Sequence, residues 1–169
     1  LKNLKNKNIE LIGYSNFFKK DNFSIKLKSH FNKWREIQYK KDIEVVNQIR
    51  KDKINILFDL AGHSAKNRLT VFMNNPAPMQ ISWAGYPGFV GIPEIDYVIG
   101  DRYVTPEKEN NFFTEKVYLL PNIWMCFTPP KYEVEIKELP AIKNKYVTFG
   151  SFNNLPKINK EVVFLWSKI

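Results

Sequence analysis

Apolar and polar positions along the chain change their period several times, and each change predicts an element. Ile9-Glu10-Leu11-Ile12-Gly13-Tyr14 reads as a short strand ending at residues 13–15. Residues 24–37 carry Ile25, Leu27, Phe31 and Trp34 and read as a helix. Asp42 is placed to N-cap the next helix, in which Ile43, Val46 and Ile49 or Arg50 recur at helical spacing and form one buried stripe. Ile54-Asn55-Ile56-Leu57-Phe58-Asp59-Leu60 is then nearly continuous in apolar character. Such a run predicts a central strand buried on both faces of a parallel sheet.

Ser64 is placed to cap a helix through about Asn74. Asn75-Pro76-Ala77-Pro78 stops it, because proline lacks the amide hydrogen and restricts the residue before it. Further strands are predicted at Met79 to Ala84, Asp96 to Gly100 and Glu115 to Pro121. Strands alternating with helices predict a layered α/β fold. Residues 128–145 are rich in Pro, Lys and Glu and read as a linker. After it, Tyr146-Val147-Thr148-Phe149-Gly150-Ser151 reads as a strand and residues 161–169 as a helix without a stop signal, as a second α/β domain would begin. With Leu1 rather than Met at the start, the sequence reads as a fragment.

Composition narrows the class. The 169 residues are 44% hydrophobic and 15% aromatic, enough for a packed core, so disorder is not the expectation. No apolar run approaches the ~20 residues that span a bilayer, and no secretory signal opens the chain. The single cysteine, Cys126, cannot form an internal disulfide. It reads as a small buried hydrophobe in a reducing cytoplasm. The net charge of +9 is uneven: residues 1–53 hold 14 Lys/Arg against 6 Asp/Glu. Because Lys, Asn and Ile are spread through that segment, solvated surface is favoured over nucleic-acid contact, with attraction of phosphate-bearing ligands or acidic partners also open. No P-loop, G-x-G-x-x-G or G-x-S-x-G occurs, and His30 and His63 stand too far apart for a metal motif.

Ligands of open α/β sheets bind outside the carboxyl ends of the strands. Three segments take that position. In Asp59-Leu60-Ala61-Gly62-His63-Ser64, Gly62 permits a tight turn, and His63 offers an acid, a base or a donor, though capping and structural roles are equally open. In Trp83-Ala84-Gly85-Tyr86-Pro87-Gly88-Phe89-Val90-Gly91, three glycines and a proline shape a loop suited to a sugar or peptide, or simply a structural turn. In Gly150-Ser151-Phe152-Asn153-Asn154-Leu155-Pro156-Lys157-Ile158, Lys157 can neutralise a pyrophosphate and Asn154 can donate and accept hydrogen bonds.

These segments resemble a known family. Asp59 to Leu69 is similar to a D-L-x-G-H-T-x-x-N-R-L motif. Asn75 to Gly88 resembles R-P-A-P-V-Q-V-T-W-L-G-Y-P-G, residues 95–101 resemble x-D-Y-x-x-x-D, and Gly150 to Ile158 resembles G-S-F-N-N-x-x-K-I. All four belong, in this order, to the O-linked N-acetylglucosamine transferase and SPINDLY family. The resemblance implies a GT-B architecture with two Rossmann-like domains and the active site in the cleft between them. Residues 1–127 match part of the N-terminal domain, 128–145 a linker, and 146–169 the start of the nucleotide-sugar-binding domain.

The implied activity is metal-independent, inverting transfer of N-acetylglucosamine or fucose from UDP-GlcNAc or GDP-fucose to Ser or Thr of a protein, without a cofactor. Lys157 matches the lysine on the donor pyrophosphate, and Asn154 matches a donor-contacting position. His63 falls where animal members carry Tyr, which favours a site-lining or turn-stabilising role over that of a base. Gly62, Gly85, Tyr86, Pro87 and Gly88 would line the cleft. Pro156 departs from the family pattern and bears on the aim of Lys157. The resemblance places an earlier histidine motif and helical repeats that bind acceptors upstream, so these 169 residues alone are expected to be inactive. The competing readings are a non-catalytic basic α/β binding module and a related transferase acting on Asn or a non-protein acceptor.

Overall fold

A computed structural model describes residues 1, 4, 8–17, 21–86, 88–129 and 131–169. They form two compact units, Leu1–Phe127 and Thr128–Ile169. The first is a Rossmann-like α/β unit, as expected. Strands β1 (Ile12–Ser15) and β2 (Lys33–Glu36) pair in parallel, while β3 (Ile56–Asp59), β4 (Met79–Ser82), β5 (Tyr97–Gly100) and β6 (Lys116–Leu119) form a four-stranded parallel sheet in that order. Helices α1 (Asn22–Lys28), α2 (Asp42–Lys51) and α3 (Leu69–Phe72) supply crossovers. Parallel strands require such connections, because a hairpin turn cannot bring the chain back to the same end.

The core is one cluster. Val45, Val46 and Ile49 of α2 and Leu69, Val71 and Phe72 of α3 pack with Leu57, Val98, Ile92 and Ile95. A second anchor ties β1, β2 and α2. Asp52, at the end of α2, accepts from Tyr14 Oη (2.7 Å), Arg35 Nη2 (2.8 Å) and Gln48 Nε2 (3.1 Å). Burial raises the Asp52 carboxyl, but these donors outweigh it and hold the group below its ordinary value. Burial, reinforced by the Asp52 carboxylate, drives the Tyr14 phenol far above its ordinary value.

Several local expectations are corrected. The helix expected over 24–37 ends at Lys28, capped by Ser29, and Lys33–Glu36 is a strand. The apolar spacing there is ambiguous, and pairing with β1 decides it. An added Cβ on Gly13 would sit 2.5 Å from Trp34 Cε3, so the glycine makes room for the neighbouring strand's indole. Lys41, not Asp42, is the N-cap of α2, and Glu44 Oε2 accepts from its amide at 2.8 Å. Ile43 lies outside the buried stripe.

Residues 54–60 are not buried on both faces. Leu57 and Asp59 face the core, whereas Ile56 and Phe58 are about half exposed, because the core cluster with α2 and α3 lies on the Leu57 side. Ser64 caps no helix. Turns fill residues 62–66, and α3 begins only at Leu69, whose amide donates to Asn67 Oδ1 at 3.3 Å. Cys126 is exposed rather than buried.

In the second unit, α4 (Pro140–Asn144) interrupts the segment read as a linker. Residues 146–151 form no strand, since no neighbouring strand is present to satisfy their backbone groups among the described residues. Helix α5 (Lys160–Trp166) is present, with the Asn159 side chain accepting from Val162 N at 2.9 Å. No described residue of this unit is buried. No helix is long and apolar enough to cross a membrane, and no group of His, Cys, Asp and Glu with metal-binding potential occurs among the described residues.

Candidate functional site

Two of the loops singled out in the sequence leave the carboxyl ends of adjacent strands, β3 and β4, and are built against each other. Asp59 is the first brace. Its carboxylate is 4% exposed and accepts from Ala61 N (3.1 Å), Gly62 N (2.8 Å) and, across the strand pair, Ser82 Oγ (3.3 Å). The chain can turn back onto this carboxylate because Gly62 takes φ +52°. The second brace is steric. A Cβ on Gly85 would lie 2.5 Å from Ala61 C, 2.6 Å from Ala61 O and 2.9 Å from Gly62 N, so only glycine allows the second loop to lie on the backbone of the first.

The third brace is His63. Its Nε2 lies 2.8 Å from the Val90 carbonyl oxygen. Val90 in turn belongs to a segment held from below. Val90 N and Gly91 N donate to Glu115 Oε1 at 2.9 and 2.8 Å. The His63–Val90 contact joins the first loop to the second. Tyr86 is exposed, and Gly88 N donates to Tyr86 O at 2.8 Å. Pro87 lies outside the described residues.

Beside these loops, at the carboxyl ends of β1, β2 and β3, is a hollow of about 560 Å³ lined by Asn16, Phe17, Gln38, Tyr39, Lys66, Asn67 and Arg68. Arg68 ties its rim together. Nη2 donates to Lys40 O (2.8 Å), Nη1 to Asn16 Oδ1 (3.3 Å), and Nε pairs with Asp42 Oδ1 at 3.0 Å. Asn16 Nδ2 donates to Lys66 O at 2.8 Å, holding Lys66 in a left-handed conformation of φ +63°. The Lys66 ammonium rests 4.0 Å from the centre of the Phe17 ring. On the far side of the sheet edge, Asp101 accepts from Tyr103 N, Val104 N and Trp124 N at 2.7–2.9 Å. Burial raises its carboxyl, but the three amides together outweigh that and depress it.

In the second unit, Asn154 and Lys157 share one 3-10 turn, Leu155–Lys157, in which Lys157 N donates to Asn154 O at 2.9 Å. Pro156 sits inside this turn, where its fixed φ suits the first positions of a helical turn. Both side chains are exposed.

The model of glycosyl transferase family 41 matches residues 3–128. The chain belongs to this family. It is 37% identical over 166 residues to a probable UDP-N-acetylglucosamine–peptide N-acetylglucosaminyltransferase SPINDLY of Solanum lycopersicum, covering 96% of this chain and 18% of that protein. A probable transferase of the same description, SEC of Arabidopsis thaliana, is 32% identical over 137 residues, 75% of this chain and 13% of that protein. Among solved structures, an O-GlcNAc transferase mutant of Thermobaculum terrenum superposes with a TM-score of 0.78 at 31% identity, covering 94% of this chain and 30% of that one. The family 41 chain described here therefore spans under a fifth of the length of the tomato relative.

In this family 41 chain, Gly62, His63, Gly85, Tyr86 and Gly88 gather on adjoining loops of the first unit, and Asn154 and Lys157 gather in one turn of the second. Sequence reasoning missed Glu115, Asn16 and the role of Arg68. Arg68 lies inside the Asp59 to Leu69 motif, which is its sequence signal. Glu115 carries no local signal: it is one acidic residue before a strand, and only the fold brings it 24 and 25 positions back to Gly91 and Val90.

Proposed function

We propose that this chain is part of an inverting, metal-independent glycosyltransferase, which moves a sugar from a nucleotide donor to a Ser or Thr hydroxyl of a cytoplasmic protein. One observation carries the reading. In a chain of family 41, the Asp59–Ser64 and Trp83–Gly91 loops sit together at the carboxyl ends of neighbouring parallel strands, where α/β sheets bind ligands.

In the transfer, the acceptor oxygen bonds to the anomeric carbon as the bond to the diphosphate oxygen breaks, and the hydroxyl proton passes to a base. Lys157 offers a cation to the departing diphosphate, whose charge grows in the transition state, and Asn154 offers hydrogen bonds beside it. In the first unit, the loops offer Tyr86 and His63 as exposed polar side chains. The names of the tomato and Arabidopsis relatives favour UDP-N-acetylglucosamine as donor, and GDP-fucose is the competing arm of the test.

The test is intact-mass analysis of acceptor proteins incubated with the full-length protein and either donor, with and without a chelator. A donor-dependent mass gain that survives chelation is expected. Lys157→Ala should lower turnover about 100-fold, the scale for removing one transition-state charge partner. No mass gain with either donor, or full turnover by the Lys157 variant, overturns the reading. Salt-sensitive nucleic-acid binding without donor hydrolysis would instead support a basic binding module.

A further inference from the structure

Glu115 is 5% exposed, and among the described residues no cation pairs with it and its Oε2 has no hydrogen-bond partner. A buried carboxylate in that state is costly, and a glutamine could offer the same oxygen to the same two amides without a charge. What the charge touches is informative. Oε1 collects two successive backbone N–H groups, those of Val90 and Gly91, in the manner of anion-binding backbone concavities, with Gly91 at φ +73°. The Gly91 N–H belongs to the same peptide unit as the Val90 carbonyl, and that carbonyl meets His63 Nε2 at 2.8 Å.

The three groups form a line: carboxylate, peptide, imidazole. A carbonyl oxygen only accepts, so the nitrogen facing it must carry the proton. A carboxylate pulling on the amide hydrogen shifts electron density onto the oxygen at the other end of the same peptide and strengthens it as an acceptor. We propose that Glu115 is a positioning residue for His63. Acting through the Val90–Gly91 peptide, it fixes the imidazole in the Nε2–H tautomer and leaves the Nδ1 lone pair as the acceptor presented to a ligand hydroxyl or amide. Nδ1 has no partner among the described residues. Catalytic histidines are commonly oriented by a carboxylate on their second nitrogen; here a peptide bond is interposed. The ligand half of this inference rests on the proposed function, whereas the tautomer half does not.

The test reads the tautomer directly. Long-range proton–nitrogen spectra of the full-length protein are recorded at about pH 9, where imidazole is neutral, with the His63 signals assigned by their loss in His63→Gln. The wild type should show a protonated Nε2 and a bare Nδ1. Glu115→Gln keeps one oxygen for both amides and places its NH2 where Oε2 had no partner, so the loop is retained and only the charge is lost. In it, the Nε2 proton should move upfield and the Nδ1–H form should rise about threefold or more, the scale of replacing a charge-assisted bond with a neutral one. Glu115→Ala, checked for folding by its backbone spectrum, should do so more strongly. An Nδ1–H tautomer in the wild type, or His63 signals unchanged in Glu115→Gln, overturns the proposal. Absence of glycosyl transfer by the wild-type protein would sink the proposed function and leave the tautomer result standing.

Discussion

Replacing Asp59 with Asn changes one atom and tests whether the first loop is built on a carboxylate. Asp59 uses both oxygens as acceptors: Oδ1 for Ala61 N, and Oδ2 for Gly62 N and Ser82 Oγ. An asparagine has one carbonyl oxygen, so its NH2 must face one of the two backbone donors. Ser82 can rotate its hydroxyl to accept, but an amide N–H cannot. The 2.8 Å bond goes to the buried Gly62 and the 3.1 Å bond to the half-buried Ala61, so the NH2 should turn toward Ala61 and leave that donor unpaired. The half-buried unsatisfied donor and the loss of charge assistance together cost about 2 kcal/mol. Urea unfolding of Asp59→Asn should therefore show a lower midpoint at unchanged slope. Amide exchange at Ala61 and Gly62 should speed up about 30-fold. Asp59→Ala, which removes both acceptor oxygens and the three hydrogen bonds they accept, should cost about 3 kcal/mol. If Asp59→Asn lies within about 0.5 kcal/mol of the wild type, and its loop amides exchange no faster, the carboxylate is not what holds this loop.

Gly85→Ala should destabilise the first unit by about 3 kcal/mol, the upper range for overpacking, because the new methyl meets backbone atoms of Ala61 and Gly62 that cannot swing away; a thermal melt beside Gly150→Ala, where nothing lies within 4 Å, provides the measurement and its control. Arg68→Lys keeps the charge but cannot reach Lys40 O, Asn16 Oδ1 and Asp42 together, so a loss of about 1–2 kcal/mol and faster amide exchange around residues 66–68 are expected. Asp52 and Asp101 have depressed carboxyls in the folded state, so each contributes stability that is present above the ordinary carboxylate value near ~3.9 and is lost as pH falls through the depressed value. Acid unfolding followed by circular dichroism should be shallower in Asp52→Asn than in the wild type. For Tyr14 the sign is opposite: its raised phenol contributes stability below pH ~10 that is lost on going more alkaline. Tyr14→Phe should flatten the alkaline limb of the same titration.

The parts of the fold that were legible in the sequence are those set by local chemistry. Strands β3 to β6 and helix α2 follow from apolar periodicity, and Pro76 and Pro78 end the α3 region because a proline cannot continue a helix. Strand β2 was hidden inside an apparent helix, since Phe31 and Trp34 stand at the helical spacing of three and only pairing with β1 makes residues 33–36 extended. The Tyr146–Ser151 segment shows the reverse case: its composition favours a strand, yet a strand needs a neighbour to satisfy its backbone. The two first-unit motif loops could be found at strand ends from order and spacing alone, whereas the Gly150–Ile158 loop, expected after a strand as well, has none before it among the described residues.

The sequence alone therefore settled the α/β class and the family resemblance and singled out the candidate segments, because residue type and spacing act over a few positions. Tertiary structure alone decided how those segments support one another: Gly85 lying on the Ala61 backbone, Asp59 reaching Ser82, Arg68 joining three loops, and Glu115 holding the peptide that meets His63. These are contacts between positions remote along the chain. They exist only because parallel strands deliver distant loops to the same end of a sheet, and no local pattern encodes that delivery.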